Sequence, residues 1–174
     1  MASTITASTL KIIIQEDIKL NGVQQGGTNT LSIGSVNEIY KRIVTCPSNT
    51  NTTIATFKSS VNVSGSAATT ARATSLDMED VKYIRVTNLD DSNSLNLSLQ
   101  VDVAEDDGLA DESATLLLEA GKSFMMGSPN DGINVNDTNA NIITTLVDLE
   151  SIIINTTDFT SGIAVDVEIF VASV

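Results

Sequence analysis

LNLSLQVDV, residues 95–103, decides the reading of this chain. Leu95, Leu97, Leu99, Val101 and Val103 alternate with Asn96, Ser98, Gln100 and Asp102. Successive side chains of a strand point to opposite faces, so a period of two specifies one dry face and one wet face. Five apolar residues in strict alternation cannot all stay in water without a large exposed patch. The leucine face is therefore expected inside. Leu97→Asp or Leu99→Asp should prevent folding, whereas Ser98→Asp should be tolerated.

Working outward, VKYIRVTN (81–88) is a second strand, and the turn-rich LDDSNS between the two predicts a hairpin. TLLLEAGKSFMM (115–126) reads as two strands about an Ala120-Gly121 turn. The closing IAVDVEIFV sets Ile163, Val165, Val167, Ile169 and Val171 against Ala164, Asp166, Glu168 and Phe170, so the C-terminal strand is expected inside a sheet. Nearer the N-terminus, Leu10 to Ile14, Ile18 to Leu20, Thr28 to Ile33 and Thr53 to Lys58 read as strands, with Asn21-Gly22 as a tight turn that Gly26-Gly27 extends into a loop. Ile142 to Leu146 and Ser151 to Asn155 complete the set.

Residues 36–45 support two readings. Val36, Ile39, Tyr40 and Ile43 fall at helical spacing, yet from Ile39 the chain also alternates until Cys46-Pro47 ends it. Strand-like neighbours favour a strand bulged near Asn37. Ser59 to Ser75, which holds a candidate strand at Val61 to Val63, the acidic stretch 104–113 and Gly127 to Asn141 read as long exposed loops. Eight to ten short strands joined by turn signals imply an all-β chain. The expectation is a single antiparallel β-sandwich, jelly-roll-like, spanning 1–174, with residues 1–9 as an extended N-terminal segment.

Composition agrees and removes chemistry. Ser, Thr and Asn fill 55 of 174 positions, a strand-and-turn composition. No His or Trp is present, and Cys46 is the one cysteine. That excludes His-assisted nucleophilic catalysis, His-ligated metals and an intrachain disulfide. Cys46 before Pro47 reads as an inert thiol. The net charge of −13, with Lys41-Arg42 as the nearest approach to a basic cluster, excludes a phosphate-neutralising surface, so no nucleic-acid partner is expected. Ile12 to Ile14 is too short for a signal peptide or a membrane span, which points to synthesis in the cytoplasm and no membrane partner. Asn51, Asn62, Asn96, Asn136 and Asn155 match the glycosylation pattern, a frequent coincidence in an Asn-rich and Thr-rich chain.

Carboxylates are the remaining catalytic currency. Glycoside hydrolysis needs two of them across a groove, normally with aromatic platforms. Tyr40, Tyr83, Phe57, Phe124 and Phe170 lie in expected strands, and Phe159 alone falls in a turn. Calcium is the small ligand the oxygen-rich loops suit best: Asp131, Asn134, Asn136, Asp137 and Asn139 form one cluster, and Glu105, Asp106, Asp107, Asp111 and Glu112 a second. Neither follows EF-hand spacing, so both read as solvated surface. No catalytic, cofactor or metal residue is assigned, and no enzyme is expected.

The segments LNGVQQGGTNTLSIGSVNEIYKRIVTCP, VKYIRVTNLDDSNSLNLSLQV, LLLEAGKSFMM and INTTDFTSGIAVDVEIFVASV together resemble virion structural proteins of tailed bacteriophages, especially marine phages of cyanobacteria. The resemblance implies a small β-sandwich assembled in many copies, on the capsid or in tails and fibres. A short chain without coiled-coil heptads or a fibre repeat favours a capsid decoration protein bound to the outer surface of the major capsid lattice, to copies of itself, or to both. The alternative is a tail, collar or fibre-associated module for host attachment.

Overall fold

The computed structural model describes residues 6–58, 76–101, 112–128, 134–135, 147–156 and 163–174. Along the chain run β1 (Ser8–Gln15), β2 (Lys19–Leu20), β3 (Val23–Gln24), β4 (Thr28–Val36), β5 (Glu38–Cys46), β6 (Asn51–Lys58), β7 (Leu76–Asp77), β8 (Val81–Asn88), β9 (Leu95–Val101), β10 (Glu112–Leu118), β11 (Ser123–Gly127), β12 (Asn134–Val135), β13 (Val147–Asn155) and β14 (Val165–Ser173). No helix occurs among the described residues. The all-β expectation holds, and residues 38–46 form a strand, separated from β4 by Asn37.

Eight long strands build two antiparallel sheets, one ordered β11-β8-β14-β5 and the other β10-β9-β13-β6. The two-residue strands β7 and β12 extend the second sheet beside β6 and β13, the β7 pairing being parallel. Pairing is nested: β9 with β10, β8 with β11, β6 with β13 and β5 with β14. The sheets share one core, to which one contributes Ile84, Val86, Val167 and Ile169 and the other Phe57, Leu97, Leu99 and Ile152. The architecture is an antiparallel β-sandwich.

The period-two strands lie as expected. Leu95, Leu97, Leu99 and Val101 are all buried, and so are Val165, Val167, Ile169 and Val171, whereas Ile163, expected on the same face, precedes β14 and is exposed, and Val103 lies outside the described residues. Each of the buried side chains contributes about 1.5–3 kcal/mol on burial. β14 is hydrogen-bonded on both sides, to β5 and to β8, which commits the C-terminus to the sheet. Ser98 departs from its expected wet setting. It is buried on a central strand, between the Thr115 hydroxyl at 3.1 Å and the Gln100 side-chain amide at 2.6 Å.

The hairpin expected from 81–88 and 95–103 does not form. β8 and β9 lie in opposite sheets, and 89–94 bridges the layers instead of turning within one. β10 and β11, about the Ala120-Gly121 turn, cross in the same way. Alternation reports which face of a strand is apolar. It is silent on whether the next strand pairs beside it or packs opposite it, because both partners present the same dry face. The crossing is built by polar groups. Fully buried Asn88 donates its amide to the Asn93 carbonyl at 2.8 Å and the Leu118 carbonyl at 3.3 Å, while its Oδ1 accepts from the Asp90 N–H at 3.0 Å. One side chain thus joins the two adjacent crossings.

Two expected loops prove shorter than their sequence limits. Glu112 already belongs to β10, and Gly127 to β11. The remainder of 104–113, Ser59 to Ser75, most of Gly127 to Asn141, and Ile142 to Leu146 lie outside the described residues.

Candidate docking surface

Residues 8–36 form a hairpin arm. β1 pairs with β4 from Ser8↔Val36 to Gln15↔Thr28, and β2 pairs with β3 through Leu20↔Val23. Between the two ladders the strands stay joined, as the Glu16 N–H donates to the Gly27 carbonyl and the Gln25 N–H to the Ile18 carbonyl. Asn21 and Gly22 turn the tip with φ of 50° and 79°, the left-handed pair that a two-residue hairpin turn requires. Gly26 has a different reason. A Cβ there would lie 2.0 Å from the Glu16 carbonyl oxygen, so only glycine allows the strands to close at this point.

The base of the arm is anchored. Leu10, Ile12, Leu31 and Ile33 pack with Tyr83, Phe170 and Ala172 on the outer face of the β11-β8-β14-β5 sheet. This explains why Tyr83 is buried on the outer face of β8: the arm covers it there, while the sandwich covers Ile84 and Val86 inside. Beyond the base, every residue from Ile13 to Gln25 is exposed. Ile18, Leu20 and Val23 are 56%, 62% and 59% exposed, and strand alternation with the Leu20↔Val23 pairing sets all three on one side of the tip. Ile13 and Ile14 are exposed as well.

A cleft of about 270 Å³ opens where the arm leaves the sheet, lined by Ile12, Ile14, Leu31, Tyr83, Met125 and Gly127 among others. The rest of this outer face is polar. Glu168 of β14 lies between Lys41 of β5, at 3.1 Å, and the guanidinium of Arg85 on β8, so that Lys41 first and Arg85 second hold its carboxyl below the usual carboxylate range. Arg85 also stands 5.5 Å above the Phe170 ring, which meets Tyr83 edge-on. Ile39 and Ile43 of the edge strand β5 remain exposed beside this cluster.

Charge divides along the chain. Residues 1–50 carry four basic and three acidic side chains, a net +1, which leaves −14 on residues 51–174. Residues 8–36 balance Lys11 and Lys19 against Glu16 and Asp17. The arm is thus a neutral, partly apolar element, and the acidic excess belongs to the sequence after residue 50.

The residues singled out for chemistry fare differently. Cys46 is fully buried, and burial pushes its thiol up to about 11, as an inert thiol requires. Both acidic clusters lie outside the described residues apart from the backbone of Glu112 and Asn134. Phe159, Asn62 and Asn136 lie outside as well. Asn51, Asn155 and Asn96 come into register across β6, β13 and β9, where Asn155 donates to Asn51, and a smaller cavity of about 190 Å³ adjoins Asn96 and Asn155. Among the described residues no three of His, Cys, Asp and Glu converge as a metal site. The arm went unrecognised in the sequence, although Ile12 to Ile14 and the Asn21-Gly22 turn were its two signals. Comparison with family models, curated proteins and solved structures finds no match to this chain.

Proposed function

We propose that the protein is a bacteriophage virion structural protein, a decoration protein laid in many copies on the outer surface of the capsid lattice. The observation that carries this reading is the arm: a neutral hairpin anchored on the sandwich at its base, with exposed apolar side chains at its tip, as an attachment element would be held. The nested pairing of the eight strands in the two sheets supports a jelly-roll reading, an architecture also used in viral shells, and that likeness concerns fold alone. Its work would be non-catalytic. Each contact is small, and multiplicity supplies the hold, because a second contact on an already tethered module occurs at high effective concentration.

The test mixes purified protein with shells stripped of it. Stoichiometric co-sedimentation, with copy number matching the shell lattice, is the expected result. Binding to tails or host cells in place of shells would transfer the assignment to a tail, collar or fibre role.

A further inference from the structure

We propose that β5 of one copy pairs antiparallel with β5 of a second copy, joining two β11-β8-β14-β5 sheets into one across a two-fold axis. The inference goes beyond the shell contact proposed above and does not depend on it.

β5 is an open edge. It pairs with β14 along all nine of its residues without a shift of register, and no strand among the described residues lies on its other side. In an antiparallel ladder both backbone groups of a residue point to the same neighbour, and successive residues alternate between neighbours. The Leu89 N–H donates to the Asp166 carbonyl at 2.9 Å, so the even-numbered residues of β14 bond toward β8 and the odd-numbered ones toward β5. The odd-numbered residues of β14 face Glu38, Tyr40, Arg42, Val44 and Cys46. The N–H and C=O groups of Ile39, Lys41, Ile43 and Thr45 therefore point away from the sheet. Such a row takes another strand.

The strand that fits this edge is β5 itself. With Lys41 at the two-fold axis, Ile39 of each copy lies opposite Ile43 of the other. These are the two isoleucines left 60% and 62% exposed on the outer face, and two Ile–Ile pairs then flank the axis. On the opposite face Arg42, which stands 5.1 Å from the ring of its own Tyr40, comes opposite the second copy's Tyr40. The two guanidinium groups approach diagonally there, and the Glu38 carboxylates on the outer diagonals offset them. Lysine is a common guard of an open edge, but Lys41 is drawn back over its own sheet to Glu168 at 3.1 Å, away from the axis. A shift of two residues in one direction sets Arg42 directly against Arg42, and in the other sets Ile43 against Asn37, beyond the strand. Both copies use the same patch, so the contact closes at a dimer. A ladder from Glu38 to Val44 is small beside the roughly 800 Å² per partner of a standard interface, so the dimer should form only as concentration rises.

Sedimentation of the full-length protein without shells, as a function of concentration, tests the proposal. The wild type should pass from monomer to dimer and stop. Ile39→Lys and Ile43→Lys each set a cation opposite an isoleucine and beside Lys41, and each should weaken dimerisation roughly tenfold or more. Both side chains are exposed, so both variants should unfold at the wild-type temperature. Cysteine cross-linking reads the register in a protein that keeps its edge. Opposed residues in a hydrogen-bonded pair have Cα atoms about 5.5 Å apart, within reach of a disulfide. Under mild oxidation Ile39→Cys mixed with Ile43→Cys should give a covalent dimer, and neither variant should do so alone, because Cys46 is buried. A wild type that stays monomeric, lysine variants that dimerise like the wild type, or cross-linking of one cysteine variant by itself would each overturn the proposal. No shell enters the experiment, so its result is read apart from the decoration role.

Discussion

Asn88 is where a single side chain does most for this fold. It is fully buried and bonds three backbone groups at the crossing between sheets. Asn88→Asp replaces the amide donor with an oxygen facing two carbonyls, and should cost about 2 kcal/mol or more in urea unfolding, with an unchanged m-value. Cys46 gives a second prediction at this scale. With its pKa near 11, a thiol reagent at neutral pH should label it at the rate of global unfolding, and denaturant should make labelling immediate. Glu168 supplies a pH dependence. Its folded pKa is lowered by Lys41 and Arg85, so its contribution is present above the unfolded value of about 4.3 and lost as pH falls through the folded one. Glu168→Gln should therefore lose less stability than the wild type on acidification across that window.

At the scale of elements, β9 and the arm make opposite demands. Leu97 is fully buried between two sheets, so Leu97→Asp leaves an unpaired charge in the core and should abolish the folded state, given a net stability of about 5–15 kcal/mol. Ser98→Asp, expected from alternation to be harmless, should instead destabilise, because Ser98 is enclosed by Thr115 and Gln100. Gly26→Ala forces a methyl group against the Glu16 carbonyl and should open the arm while the sandwich survives. Proteolysis within residues 16–27, at an unchanged thermal midpoint, would be the signature.

For the whole molecule, charge and topology dominate. A net charge of −13 opposes compaction, so the thermal midpoint should rise as salt goes from about 10 mM to about 150 mM and the screening length falls from about 30 to about 8 Å. The nested pairing works with this constraint. It places the regular apolar strands in one shared core and leaves the covering of the outer face of β8 and β14 to the N-terminal hairpin.

The faces of β9 and β14 were legible in the sequence, because side-chain alternation is a local property fixed by the backbone itself. So were the strand class, the Asn21-Gly22 turn and the inertness of Cys46. Partnership was decided by tertiary structure. Residues 81–88 and 95–101 have matching dry faces, and the same pattern serves a hairpin or two opposed layers; the choice depends on Asn88, on the neighbouring crossing and on which strands compete for each edge. The arm was hidden for a related reason. Ile12 and Ile14 lie on one side of the same strand, yet the sheet beneath shelters Ile12 while Ile14 stays exposed, and only the packed molecule determines where that shelter ends.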